Sequence, residues 1–425
     1  MSRHGVIAIV GAGQAGATAA STLRRLGYDG RVLMFGREAH APYERPPLSK
    51  AVLADAAHEQ KIGVHSAAHY RENTIELQTA NAVASIDAAA SGLRLDDGTR
   101  VAFDHCLIAT GGNARTLPAM PPGTPGVHYL RTLDDARGLR EALCKAPEVL
   151  VIGGGFLGLE TASTARTLGC AVTLVETAPR LLERAVPAVF SEWLARRAAA
   201  AGIALRLGAR IESMTANSTG ATLLLQNGER VSAPLVVVAI GMTPDIELAR
   251  DAGLALHADS GGIEVDALGR TSVANIYAAG DCTSQFRPHF GEIMRMESWQ
   301  NANEQARIAA TSMLGQEPEA AALPWFWTDQ FGGNIQMLGA FDPALDYRLR
   351  GNDSHEDESP KFMLLGTASG HLRHALAVNA GGDLRQLKPL IDKGLHCDLD
   401  ALADSTRPLR PTVKDTLAQN TISSF

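Results

Sequence analysis

Gly11-Ala12-Gly13-Gln14-Ala15-Gly16 follows directly on the apolar run Val6 to Val10, and its pattern returns as Gly153-Gly154-Gly155-Phe156-Leu157-Gly158 after Val149 to Ile152. With 41 glycines in 425 residues, G-x-G-x-x-G should arise by chance about 0.4 times, so one match says little. Two matches in the same setting say a great deal. Each stands between a strand-like run and a segment with helix composition: Ala17 to Leu26, stopped by Gly27, and Leu159 to Leu168. Glycine is needed there for the tight turn, for close approach of a phosphate to the backbone, and for tight packing of helix on strand. The phosphates then meet the open N–H groups and the positive end of the helix. The second copy continues into the strand-like Ala171 to Val175 and then Glu176. A carboxylate there accepts hydrogen bonds from ribose hydroxyls and repels a 2'-phosphate, favouring NADH over NADPH; a solvated surface glutamate is the alternative. A third element, Tyr277-Ala278-Ala279-Gly280-Asp281, completes a set that implies two dinucleotide sites, one of them for a flavin.

Composition agrees with an enzyme of several domains. A 45% apolar chain of this length supports real cores. The first apolar run is only a strand long and enters the phosphate loop at once, so neither a membrane span nor a signal peptide is expected, and the protein is predicted to be cytoplasmic. A net charge of −7 argues against general nucleic-acid binding. The cysteines, Cys106, Cys144, Cys170, Cys282 and Cys397, are scattered and contain no C-x-x-C. They read as buried small apolar residues, without a dithiol or a metal knuckle, so electrons must leave from the flavin itself. His65 and His69, four apart, would share a helix face, and His371 and His374 lie similarly close, but neither pair has a third ligand nearby; solvated or capping roles are expected. Arg407 to Lys414 reads as a basic surface connection.

Leu107 to Gly112 and Val237 to Met242 are similar strand-to-glycine endings that bracket the second fingerprint, so one nucleotide domain is predicted to interrupt the other. After Pro324 the texture changes to the aromatic cluster Trp325-Phe326-Trp327 and to strand-like runs around Gln336 to Leu338 and Phe362 to Leu365, separated by a polar loop at residues 351 to 360. The expected fold is α/β: two Rossmann-like dinucleotide-binding domains, one inserted in the other, plus a C-terminal α+β domain. The expected boundaries are 1–113 and 244–323 for the FAD-binding domain, 114–243 for the NAD-binding domain, and 324–425 for the C-terminal interface domain.

The ordered motifs GAGQAG, YERPPLSK (43–50), IATGG (108–112), YLRTLDDA (129–136), GGGFLGLE (153–160), AAGDC (278–282), ESWQNANEQA (297–306) and PWFWTDQ (324–330) resemble the FAD-dependent ferredoxin reductases. These are the NADH-oxidising components of Rieske-type dioxygenase and bacterial cytochrome P450 electron-transfer chains, with a glutathione-reductase-like fold. The resemblance spans nearly the whole chain. The glycine motifs belong to a wider superfamily, whereas YERPPLSK with PWFWTDQ marks this branch.

The resemblance implies that Gly11, Gly13, Ala15 and Gly16 hold the FAD pyrophosphate and that Val83 meets the adenine region through its backbone. It puts Arg45, Lys50, Thr110, Gly111 and Arg131 along the flavin and its phosphates, Asp281 on the ribityl or phosphate portion, and Trp299 against the isoalloxazine. Where relatives carry an acid after the second strand's glycine, this chain has Arg37 and then Glu38; Glu38 is favoured for the ribose, with Arg37 on the adenine. NAD is assigned to Gly153, Gly155, Phe156, Leu157, Gly158, Glu176, Arg184 and Gly241. Lys50 and Glu160 are implied to form an ion pair near flavin N5, where the hydride arrives; the alternative for Lys50 is a lysine closing a loop.

The implied partner is a [2Fe-2S] ferredoxin docking near the flavin edge and the C-terminal domain. Such ferredoxins are acidic, so a chain of net charge −7 must gather basic residues locally; Arg295, Arg307, Arg385, Lys388 and Lys393 are the candidates. Trp325 and Trp327 either pack the domains or line that surface. A rubredoxin or monodehydroascorbate-type reductase and a redox-sensing binding protein of the apoptosis-inducing-factor type remain open. An NADH oxidase or coenzyme A disulfide reductase would need a cysteine near residues 40 to 50, and there is none.

Overall fold

The computed structural model describes residues 5–217, 220–355 and 357–422. Its contacts divide the chain into two compact units, one of residues 1–46, 59–113 and 242–322, the other of residues 47–58, 114–241 and 323–425.

The first unit is built on a parallel sheet of five strands in the order Ile276–Ala278, His105–Ile108, Val6–Val10, Arg31–Phe35, Ile75–Gln78. Successive strand residues face opposite sides, so Ile7, Ile9, Val32 and Met34 enter one core while Ala8, Val10, Leu33 and Phe35 enter another. Burial on both faces explains why these strands read as unbroken apolar runs. Helices Gln14–Arg25 and Trp299–Met313 cover the first face through small residues, Ala19, Ala20, Ala306, Ala309 and Ala310 among them. Two three-stranded sheets flank this core, one of strands Val83–Asp87, Gly92–Leu95 and Arg100–Ala102, the other of Ile263–Val265, Thr283–Arg287 and Glu292–Met294.

The second unit repeats the plan, with parallel strands ordered Ile203–Arg206, Ala171–Val175, Glu148–Ile152, Leu235–Val238, Val127–Tyr129 and helix Phe156–Thr167 after the second glycine loop. The same unit carries a five-stranded antiparallel sheet, ordered Trp325–Gln330, Gly333–Gly339, His371–Val378, Lys361–Ala368, Asp346–Asn352. Helices Gly381–Asp392 and Leu409–Ile422 close it over a core of Leu338, Met363, Leu365, Ala375, Leu384, Leu387 and Leu390.

Both fingerprint helices begin three residues earlier than composition indicates, at Gln14 and Phe156, because the phosphate loop itself forms the first helical turn. The polar loop begins later than expected, since strand Asp346–Asn352 includes Gly351 and Asn352; Glu356 lies outside the described residues. Arg407 to Lys414 is not only a connection, for helix Leu409–Ile422 starts within it, with Pro411 in the first turn where no N–H is required. Cys144 is exposed, against expectation, because it caps the C-terminus of helix Leu133–Leu143.

Candidate dinucleotide sites

In the first unit, Gly11 has φ +117°, and a Cβ there would stand 2.2 Å from the Ala109 carbonyl oxygen. A Cβ on Gly16 would stand 2.0 Å from the Gly11 oxygen, so the loop and helix pack too closely for any side chain. Gly13 is the opposite: nothing lies within 4 Å of where its Cβ would be, and as N-cap it makes no side-chain cap. The helix end is therefore open and uncapped, with its first N–H groups unobstructed by a side chain. An anionic pyrophosphate fits that environment. Gly153, Gly155 and Gly158 reproduce it in the second unit, with φ +113° at Gly153, a Cβ contact of 2.0 Å at Gly158 and open space at Gly155.

Around the first loop, Glu38 accepts hydrogen bonds from the Tyr43 hydroxyl (2.5 Å) and Arg45 Nη2 (2.7 Å). The Arg45 guanidinium also lies over the Tyr43 ring, 5.2 Å from its centroid. Burial alone would lower the Arg45 pKa, but Tyr43, Glu38 and Asp281 outweigh it and hold the group above its ordinary value. Arg37 turns outward instead, its side chain 67% exposed and 3.4 Å from Asp245. There it lines a cavity of about 360 Å³ with Asn113, Asp245 and Arg250. The Thr110 hydroxyl donates to the Asp245 carbonyl at 2.6 Å, and the Asp245 N–H donates to Gly111 O at 2.9 Å. Trp299 is 36% exposed, with its indole N–H on Glu44 at 3.2 Å. Val83 opens strand Val83–Asp87 and is buried.

In the second unit, Glu176 leaves its strand and folds back on the glycine loop: its carboxylate accepts the N–H groups of Gly154 (2.6 Å) and Ala178 (2.7 Å). Arg184 stands exposed on the turn that follows, which is fastened to the loop by Leu182 N–H on Gly154 O at 3.1 Å. Leu157 is half-buried, Gly241 has φ +106°, and the Arg131 N–H donates to Asp135 at 3.0 Å. Phe156 packs on Phe326, their ring centroids 4.6 Å apart.

The segment Pro47–His58 belongs to the same unit, and it brings Lys50 Nζ to 2.8 Å from Glu160 Oε1. Sequence reasoning missed the two hydroxyls that complete this group. Ser49 Oγ donates to Glu160 Oε2 at 2.5 Å and Thr328 Oγ1 to Glu160 Oε1 at 2.5 Å. A buried carboxylate with three donors is fully satisfied and fixed in place. The only signal was that both hydroxyls sit inside the YERPPLSK and PWFWTDQ motifs.

His65 precedes the N-cap Ser66 of helix Ala67–Glu72 and so does not share that helix with His69. The two rings nevertheless stack at 4.1 Å, and both meet Ser21 Oγ at 2.9 Å. His371 and His374 lie on a strand, not a helix, with a register irregularity in the pairing between them. His374 is buried against the Tyr347 hydroxyl at 2.9 Å, and burial pushes its pKa down to about 4. Among the described residues no group of three or more His, Cys, Asp or Glu could hold a metal ion, and no helix is long and apolar enough to cross a membrane. All five cysteines are free, and burial pushes the thiols of Cys106 and Cys282 up to about 12 and about 11. Trp325 and Trp327 stack at 5.0 Å, and Trp325 donates to Gln336 at 3.2 Å. Arg295 is paired with Glu297 at 2.9 Å; Arg307, Arg385, Lys388 and Lys393 are exposed, with Arg385 and Lys388 on one face of helix Gly381–Asp392.

The chain belongs to the pyridine nucleotide-disulphide oxidoreductase family, whose profile matches residues 6–306, and a reductase C-terminal profile matches residues 325–413. It is 38% identical over 403 residues to the anthranilate 1,2-dioxygenase system ferredoxin–NAD(+) reductase component of Burkholderia cepacia, covering 95% of this chain and 98% of the relative. It is equally 38% identical, over 389 residues, to the 3-phenylpropionate/cinnamic acid dioxygenase ferredoxin–NAD(+) reductase component of Photorhabdus laumondii, covering 92% of this chain and 96% of that one. Among solved structures, the covalent putidaredoxin reductase–putidaredoxin complex matches with a TM-score of 0.90 at 32% identity, covering 97% of this chain and 99% of that one. The ferredoxin reductase for the CYP199A2 system from Rhodopseudomonas palustris matches at 0.89 and 34%, covering 96% and 100%.

Proposed function

We infer that this chain is an FAD-dependent reductase that takes a hydride from NADH and passes electrons singly to a [2Fe-2S] ferredoxin serving a dioxygenase or a cytochrome P450. The observation that carries the reading is full-length similarity to ferredoxin–NAD(+) reductase components, in a chain with two open phosphate loops and no paired cysteines. Without a dithiol, no internal disulfide relay stands between nicotinamide and acceptor. The cytoplasm is the compartment in which NADH and an intracellular oxygenase system meet.

Bound FAD would supply the capacity to accept two electrons together and release them one at a time. The residues of the chain bind and orient. Gly11, Gly13, Ala15 and Gly16 receive the FAD pyrophosphate on the open helix end; Arg45, Thr110, Gly111, Arg131 and Asp281 line the cofactor; Val83 serves the adenine; and Trp299 lies on the ring system. Glu38 accepts the ribose hydroxyls with lone pairs left over from Tyr43 and Arg45, and Arg37 covers the adenine. Gly153, Gly155, Phe156, Leu157, Gly158, Arg184 and Gly241 hold NAD, with Glu176 on its ribose. Lys50, held by Glu160, supplies positive charge where the hydride arrives, while Ser49 and Thr328 keep Glu160 from moving.

Rubredoxin is the competing acceptor, because the rubredoxin–NAD(+) reductase of Pseudomonas putida is 39% identical over 335 residues, covering 79% of this chain. The test is stopped-flow oxidation of the NADH-reduced protein by [2Fe-2S] ferredoxins and by a rubredoxin. Faster single-electron transfer to a ferredoxin is expected; faster transfer to rubredoxin would replace the acceptor assignment.

A further inference from the structure

Arg287 ends strand Thr283–Arg287 and is only 7% exposed. Among the described residues no carboxylate pairs with its guanidinium, and its Nε is buried without a hydrogen-bond partner. An uncompensated buried charge is costly, so such a residue needs a reason to be there. Burial lowers its pKa, and Glu304 opposes that only from a distance.

The partner of the guanidinium among the described residues is informative. Nη2 donates to Asn301 Oδ1, and Asn301 sits in the first turn of helix Trp299–Met313, its N–H on the Ser298 N-cap hydroxyl at 3.1 Å. The Asn301 side chain donates in turn to Gln305 Oε1 at 3.2 Å. That same oxygen accepts the Gly280 N–H at 2.8 Å and the Thr283 hydroxyl at 2.9 Å. Asn301 and Gln305 are 2% and 1% exposed, so the chain of bonds is dry and each link polarises the next. It joins the N-terminus of the helix bearing Trp299 to the turn bearing Asp281. The positive end of the helix dipole and the guanidinium have the same sign, and among the described residues no carboxylate pairs with the guanidinium.

We propose that Arg287, acting through Asn301 and Gln305, is the positioning residue that fixes the Gly280–Asp281 turn and keeps this end of the FAD site electropositive, raising the cofactor's midpoint potential. This rests on the FAD reading of the first unit. Reduction adds electron density to the cofactor, and a nearby fixed cation favours it; a purely structural arginine would alter stability without altering potential.

The experiment is an anaerobic determination of midpoint potential, against a reference dye, for wild type, Arg287→Lys and Arg287→Met holoproteins, with thermal melts alongside. Arg287→Met should lower the potential by about tenfold in the two-electron equilibrium constant, or about 30 mV, while Arg287→Lys stays near wild type. A wild-type potential in Arg287→Met would overturn the proposal. Should Arg287→Met yield no folded holoprotein, Gln305→Met cuts the last link, and the same criterion decides: a lowered potential supports the proposal, an unchanged one ends it. A wild-type protein that holds no FAD would instead defeat the FAD reading itself.

Discussion

Lys50 and Glu160 come from segments far apart in the chain, yet their 2.8 Å contact is closed by two further donors at 2.5 Å. Replacing Lys50 with Met would leave the buried Glu160 with its hydroxyl donors but no cation. Anaerobic reduction by NADH should slow by at least about tenfold, roughly 1.4 kcal/mol of barrier; an unchanged rate in stopped-flow would remove Lys50 from the chemistry. Glu176 makes a second residue-scale prediction. Its carboxylate braces Gly154 and is proposed to accept the NAD ribose hydroxyls, so Glu176→Ala should cost about 1.5–3 kcal/mol in kcat/KM for NADH and narrow the preference over NADPH. Steady-state kinetics with both coenzymes measures this. Glu160 and Glu176 could be picked out in the sequence because each sits at a fixed offset from a glycine loop. Ser49 and Thr328 could not, because 111 and 168 residues separate them from the carboxylate they serve, and a serine or threonine carries no pattern that names a distant partner.

At the scale of elements, the strand Trp325–Gln330 carries Thr328 to Glu160, and its outer turn is held by one arginine. Arg197, on helix Ala188–Ala200, donates to the carbonyls of Phe331 (3.1 Å), His355 (3.1 Å), Asp357 (2.6 Å) and Glu358 (3.2 Å). Arg197→Ala would strand several carbonyls and cost about 1–3 kcal/mol. Limited proteolysis should then cut first in residues 354–358; protection equal to wild type would show that the loop holds without the arginine. The parallel strands of both units were legible because burial on both faces leaves an unbroken apolar run, as in Val6–Val10 and in Val149 to Ile152. Helix starts were less legible, since the glycines of the phosphate loop suppress the helical signal in the turn they form. His371 and His374 were misleading for a related reason: a three-residue spacing looks helical until the strand in which it lies is known.

For the molecule as a whole, the C-terminal sheet contains a built-in pH dependence. His374 is buried with its pKa pushed down to about 4, whereas in the unfolded chain it titrates near 6.5. Protonation therefore favours the unfolded state. The stability is complete above about pH 6.5 and is lost as pH falls toward 4, at about 1.4 kcal/mol per pH unit for this one group. Thermal melts from pH 7 to 4.5 should show that slope, and His374→Gln should flatten it; equal slopes would assign the acid sensitivity elsewhere. Net charge acts at the same scale. If docking of an acidic ferredoxin to this chain of −7 uses local basic faces such as Arg385 and Lys388 on helix Gly381–Asp392, ferredoxin reduction should slow steeply with added salt. A flat response would mean that docking is apolar.

The most direct measurement is the visible spectrum of the purified protein, recorded anaerobically during titration with NADH. One flavin per chain, bleached by a single equivalent of NADH and recoloured by two equivalents of oxidised [2Fe-2S] ferredoxin, is the expected result. A colourless protein that takes up no FAD on reconstitution, or a bound flavin that NADH leaves oxidised, would contradict the account.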